Sequence, residues 1–186
     1  LPPINDAGYM QEYEKKRREL NALPQVDYEE VNRLKHGYLQ KLYNQIQRSL
    51  QHDEDYLQFC SANESWLVPY AAFCLLRDKY NTCDFTAWPR HSTYKEEEVS
   101  LWARKKKTEL GYYMYVQYLL DKQLYEAATV ARNLGVVLKG DIPIGISRCS
   151  VESWTEPHLF HMNGQAGAPP DDFSVNGQNW GFPTYN

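Results

Sequence analysis

The sequence predicts a mainly α fold in which one strand and one long loop follow the last helix. Three observations carry this reading. Apolar residues recur at three- and four-residue steps through much of residues 1–134, the spacing of one helix face. One short β-branched run, Val136-Val137-Leu138, stands between Gly135 and Gly140. From Met162 to Asn186 no period is present, and glycine and proline punctuate the chain.

Each element follows from its residues. Residues 6–20 are charged and helix-favouring, and Leu23-Pro24 ends that run. Asp27 and Glu30 have the spacing of a capping box, which satisfies orphan amides at both ends of the first turn. Beyond them Val31, Leu34, Tyr38, Leu42, Ile46 and Leu50 line one face of a long helix. Asp53-Glu54-Asp55 opens a short helix carrying Tyr56, Leu57 and Phe59. Residues 64–80 form the next helix, started or kinked by Pro69, with Tyr70, Phe73, Leu76 and Tyr80 on one face. A loop over 81–93 holds Phe85, Trp88 and Pro89. A last long helix, or a broken pair, spans Tyr94 to Leu134, with Leu110, Met114, Gln117, Leu124, Ala128 and Ala131 on one side. Gly135 is its expected cap. The run Val136–Leu138 reads as a buried parallel strand, and Val151 to Trp154 as a brief helix. The aperiodic tail is too rich in aromatics to be disordered, which makes it a candidate functional loop.

Bulk properties narrow the function. The 186 residues suffice for one domain with its own core. A net charge of −4 argues against a nucleic-acid partner. The basic run Arg104–Lys107 lies near Glu96–Glu98 and reads as a solvated helix face. No apolar stretch approaches membrane-spanning length. Cys60, Cys74, Cys83 and Cys149 form no CxxC pair, so free thiols and a cytoplasmic location are expected. The 15 tyrosines and 5 tryptophans suit either sugar stacking or helix–helix packing.

Two segments carry a resemblance. The first is Gly135-Val-Val-Leu-Lys-Gly-Asp-Ile-Pro-Ile144. The second is Gly167-Ala-Pro-Pro-Asp-Asp-Phe-Ser174 with Gly177-Gln-Asn-Trp-Gly-Phe-Pro-Thr-Tyr185. Ser150, Val151, Trp154, Pro157 and Phe160 join them at fitting spacing. Together they resemble the strand-to-loop segment and active-site loop of the 4-α-glucanotransferases, the amylomaltase or disproportionating-enzyme family (glycoside hydrolase family 77). The wording around Lys139–Gly145 and Asn179–Tyr185 is most similar to the cytosolic, maltose-metabolising transglucosidase branch. Trp66–Phe73 and Trp88-Pro89 resemble the family's helical insert more weakly.

The resemblance implies an incomplete (β/α)8 barrel. Residues 1–134 would be the helical insert subdomain, and 135–186 a barrel strand with the substrate-binding loop. The chain is then expected to be a fragment. It would belong to an enzyme moving glucosyl or maltosyl units between α-1,4-glucans by a retaining double displacement. Malto-oligosaccharides or other α-1,4-glucans are the implied partners, and no metal or organic cofactor is implied. In barrel enzymes the reactive residues stand at the C-terminal strand ends, where Asp141 falls. Asp141, Asp171, Phe173, Gln178 and Trp180 are the implied substrate-binding residues. Structural alternatives remain open: Asp141 as a turn cap, and Gln178 and Trp180 as loop packing. Asp172 departs from the family pattern, which has an aromatic residue there, so one stacking ring is missing.

No residue is assigned a catalytic role. Retaining chemistry needs a nucleophile and an acid/base carboxyl roughly 5 Å apart. The family's nucleophile lies in an R-x-D-H motif, which this sequence lacks. The chain alone is therefore expected to be inactive, and to self-associate through apolar surface that a complete barrel would cover. A non-catalytic glucan-binding module and a helical protein-interaction module stay open as alternatives.

Overall fold

The structure is a computed structural model, and it describes residues 3–186. The first two positions of the 1–134 stretch lie outside the described residues. Seven α-helices occur among the described residues: α1 (Ala7–Asn21), α2 (Tyr28–Leu50), α3 (Glu54–Ala62), α4 (Glu64–Tyr80), α5 (Glu96–Lys105), α6 (Lys107–Asn133) and α7 (Val151–Thr155). Four two-residue strands follow: β1 (Phe160–His161), β2 (Gly167–Ala168), β3 (Gln178–Asn179) and β4 (Thr184–Tyr185). The mainly α expectation holds.

The first three helix starts are set by aspartates. Asp6, Asp27 and Asp53 each accept a backbone N–H three residues on, from Tyr9, Glu30 and Tyr56. The expected reciprocal half of the Asp27 box is not formed. The Glu30 carboxylate turns instead to the Arg33 guanidinium, at 2.5 Å. An arginine one turn on is a charged donor and outcompetes a neutral backbone amide. Glu96–Glu98 begin α5, and Arg104 and Lys105 end it, each set favourable to the helix dipole. Lys106 (φ −116°, ψ 24°) breaks α5 from α6.

Two clusters form the core. In one, Ala71, Ala72, Phe73 and Leu76 of α4 pack with Phe85, Trp88, Val99, Ala103, Leu110 and Trp154. In the other, Ile4, Leu42, Tyr43, Leu50 and Tyr56 pack with Tyr112, Tyr115 and Tyr118 of α6. Tyr113 and Met114 border both. The abundant tyrosines thus make helix contacts here: Tyr43, Tyr56, Tyr112, Tyr115 and Tyr118 meet in tilted and edge-on pairs. α4 runs unbroken past Pro69 and is buried on more than its expected face, since Leu67 and Cys74 are covered too.

The C-terminal half of α6 departs from its expected stripe. Only Leu110 of that stripe is buried, while Leu124 is exposed along with Leu120, Tyr125 and Val130. Gly135 (φ 73°) closes the helix as anticipated, its N–H bonding Arg132 O at 3.0 Å and the Val136 N–H bonding Ala131 O at 2.8 Å. The buried strand at Val136–Leu138 is not formed. Residues 136–138 pair with nothing and are exposed, Val137 at 89%. A strand's hydrogen bonds come from a neighbouring strand, and no partner reaches this one within the described residues. β1 pairs with β4 and β2 with β3, both antiparallel.

Candidate functional site

Trp154 ties the C-terminal stretch to the helices. It is 2% exposed, and its indole N–H donates to His91 O at 2.8 Å. Its ring lies 4.9 Å from Tyr94 and 5.8 Å from both Phe73 and Trp88, centroid to centroid. Ser150 caps α7 through a reciprocal pair with Ser153. The loop that follows is therefore mounted on the helical core.

Two short ribbons shape that loop. β1 meets β4 where Phe160 faces Tyr185, and Asn186 donates back to Leu159 O and His158 O. β2 meets β3 in a hairpin, extended by Trp180 N–H to Ala166 O and Ala166 N–H to Phe182 O. The ribbon docks on the chain before α7 at Gly145. A Cβ there would fall 2.2 Å from the Phe182 ring, so any larger residue would displace it.

The five expected residues divide by position. Trp180 is 43% exposed; it stacks on Phe182 at 5.9 Å and 29°, and its indole N–H donates to Gln178 Oε1 at 2.9 Å. Gln178 and Trp180 are thus one unit, with an aromatic surface open to solvent. Asp171 closes the turn after Pro169-Pro170. Its Oδ1 accepts the N–H groups of Phe173 (2.9 Å) and Ser174 (2.7 Å). Phe173 at the tip of that turn is 97% exposed. Asp141 is also exposed, in unpaired chain, and no hydrogen bond joins it to the loop. The structure therefore brings Gln178 and Trp180 together, puts Asp171 and Phe173 on one turn, and leaves Asp141 apart.

Arg148 was not among the expected residues. Its Nε donates to Gly181 O at 3.1 Å, and its two terminal nitrogens donate to Met162 O and Gly164 O. Its partners are backbone carbonyls, which carry no side-chain signature, so residue pattern alone does not reveal it.

Other chemistry is sparse. Cys60, Cys74, Cys83 and Cys149 are free, and burial pushes the Cys60, Cys74 and Cys149 thiols up. Among the described residues no three His, Cys, Asp or Glu side chains are grouped to hold a metal. No described helix is long and apolar enough to cross a membrane. A cleft of about 1140 Å³ lies away from the loop, between α2–α4 and the α5–α6 junction. Tyr56, Tyr94, Arg104 and Lys107 are among its lining residues.

Comparison with known proteins decides the family. The sequence model described as 4-alpha-glucanotransferase, glycoside hydrolase family 77, matches residues 4–186. The chain belongs to the 4-α-glucanotransferase family. The 4-α-glucanotransferase DPE2 of Oryza sativa subsp. japonica is 44% identical over 164 residues, covering 87% of this chain and 17% of that protein. A 4-α-glucanotransferase of Chlamydia muridarum is 30% identical over 188 residues, covering 100% of this chain and 35% of that protein. The amylomaltase of Streptococcus agalactiae, solved in complex with acarbose, superposes with a TM-score of 0.75 at 26% identity. That match covers 98% of this chain and 40% of the amylomaltase. The chain thus spans between about a sixth and two fifths of these 4-α-glucanotransferases.

Proposed function

We propose that residues 162–186 form a glucan-binding loop of a 4-α-glucanotransferase, with the Gln178–Trp180–Phe182 ribbon as its platform. The observation that carries this is the half-exposed Trp180 indole, backed by Phe182 and fixed by Gln178. An aromatic face held at one angle takes the C–H face of a pyranose while its polar edge stays hydrogen-bonded. Phe173 supplies a second solvent-facing ring, and the outer oxygen of Asp171 is available to sugar hydroxyls. Asp141 joins them only when the chain around it is held in place. The acarbose bound by the amylomaltase neighbour fits a carbohydrate ligand.

The whole enzyme's reaction is the transfer of glucosyl or maltosyl units between α-1,4-glucans, by a retaining double displacement. The nucleophile and acid/base carboxyls come from sequence other than these 186 residues, and the loop's part is to hold sugar and exclude water. Water exclusion matters because hydrolysis competes for the glycosyl-enzyme intermediate. In the whole enzyme residues 136–138 gain the strand partners they lack here, so that 135–186 serve as barrel strand and loop and 1–134 as the helical insert. Val136–Ile144 and the far half of α6 form the face that other barrel strands cover, which accounts for their exposed apolar side chains. Titration of the chain with maltoheptaose, followed by tryptophan fluorescence, tests the loop's role. A saturable change absent in Trp180→Phe supports it, and no change at high millimolar sugar overturns it.

A further inference from the structure

We propose that Arg148 is a positioning residue of this site, fixing the tilt at which the Trp180–Phe182 pair meets the sugar. The inference rests on the glucan-binding reading of the loop. Gly181, the residue that links Trp180 to Phe182 in the chain, presents its carbonyl to Arg148 Nε at 3.1 Å. The terminal nitrogens take Met162 O and Gly164 O on the turn after β1. One planar fork therefore joins the two sides of the loop.

The clamp has a firm base. Arg148 O accepts the Ser153 hydroxyl at 2.8 Å, and Ser153 is fully buried. Trp154, the next residue, is packed among Phe73, Trp88 and Tyr94. A continuous path thus runs from the helical core through α7 to Arg148 and on to the ring pair. The loop's two ribbons are only two residues long, and Arg148 bridges chain outside both of them. No carboxylate among the described residues pairs with Arg148, whose charge is met by carbonyl dipoles. Lysine would keep the charge but offers one compact donor centre, unable to span three carbonyls held in a fork.

The test uses the chain as it stands, with Arg148→Lys and Arg148→Ala. Maltoheptaose affinity is read by tryptophan fluorescence, thermal midpoint by circular dichroism, and loop order by amide hydrogen exchange over residues 162–182. The expected result for Arg148→Lys is binding weakened roughly tenfold or more, with faster loop exchange and an unchanged midpoint. Millimolar methylguanidinium is expected to restore affinity to Arg148→Ala, a rescue that lost bulk stability would not show. If the unaltered chain binds and Arg148→Lys binds equally well, the role of Arg148 is overturned and the glucan reading stands. Unchanged loop exchange in Arg148→Lys also overturns it, as does loss of binding only in step with a lowered midpoint. If the unaltered chain does not bind, the glucan reading fails, and the role assigned to Arg148 fails with it.

Discussion

Replacing Trp154 with alanine removes the main anchor between the C-terminal stretch and the helical core. The indole is 2% exposed, touches three aromatic rings and donates one hydrogen bond to His91 O. Deleting a buried Trp side chain costs about 3–5 kcal/mol, transfer and cavity terms together. The lost bond is included in that range but is separable. Trp154→Phe keeps an aromatic ring and leaves the His91 carbonyl without this donor, for about 1–3 kcal/mol. For a chain of this size about 2–4 °C of melting temperature accompanies each kcal/mol, so Trp154→Ala is expected to melt roughly 6–20 °C lower. Urea unfolding followed by circular dichroism gives the free energy, and amide exchange over residues 160–186 reports whether the loop loosens with it. A loss below about 1 kcal/mol with unchanged loop exchange would refute the claim that the core holds the loop, because surface substitutions give losses of that size.

Three other perturbations probe separate parts of the account. Burial raises the hydroxyl pKa values of Tyr43, Tyr56, Tyr70, Tyr112, Tyr113 and Tyr115, that of Tyr70 up to about 12. Because the folded values lie above the unfolded value near 10, their contribution is complete below pH 10 and is lost as pH rises through the folded values. Tyr70 alone accounts for at most about 3 kcal/mol between pH 10 and 12, and urea midpoints measured across that window check it. Gly145→Ala drives a Cβ into the Phe182 ring, and about 1–3 kcal/mol of stability with faster proteolysis near Trp180 is expected. Val137→Lys with Ile142→Lys places charge on exposed apolar chain, and sedimentation is expected to show less self-association than in the unaltered protein.

The helices were legible because their signals are local. Asp27, Asp53 and Gly135 mark three helix ends by cap chemistry, and the spacing from Val31 to Leu50 names the buried face of α2. Pairing was not legible. The run Val136–Leu138 has strand composition, but composition supplies no partner, and none of the described residues provides one. The buried face of α6 was misjudged because two clusters meet it: Leu110 points to one, and Tyr112, Tyr115 and Tyr118 to the other. At the site, motif spacing picked out Gln178 and Trp180, which the structure joins by a hydrogen bond. It did not reveal that Asp171 spends one oxygen on its own turn, nor that Arg148 gathers three carbonyls. Both depend on backbone geometry that residue identity does not encode.

The central claim is that the Trp180 platform binds α-1,4-glucan. Calorimetric titration of maltoheptaose into the unaltered chain and into Trp180→Ala tests it most directly. The account predicts saturable binding by the first and, with indole–sugar stacking removed, at least roughly tenfold weaker binding by the second at an unchanged melting temperature. Equal affinity in the two proteins, or no heat with the unaltered chain at high millimolar sugar, would contradict it.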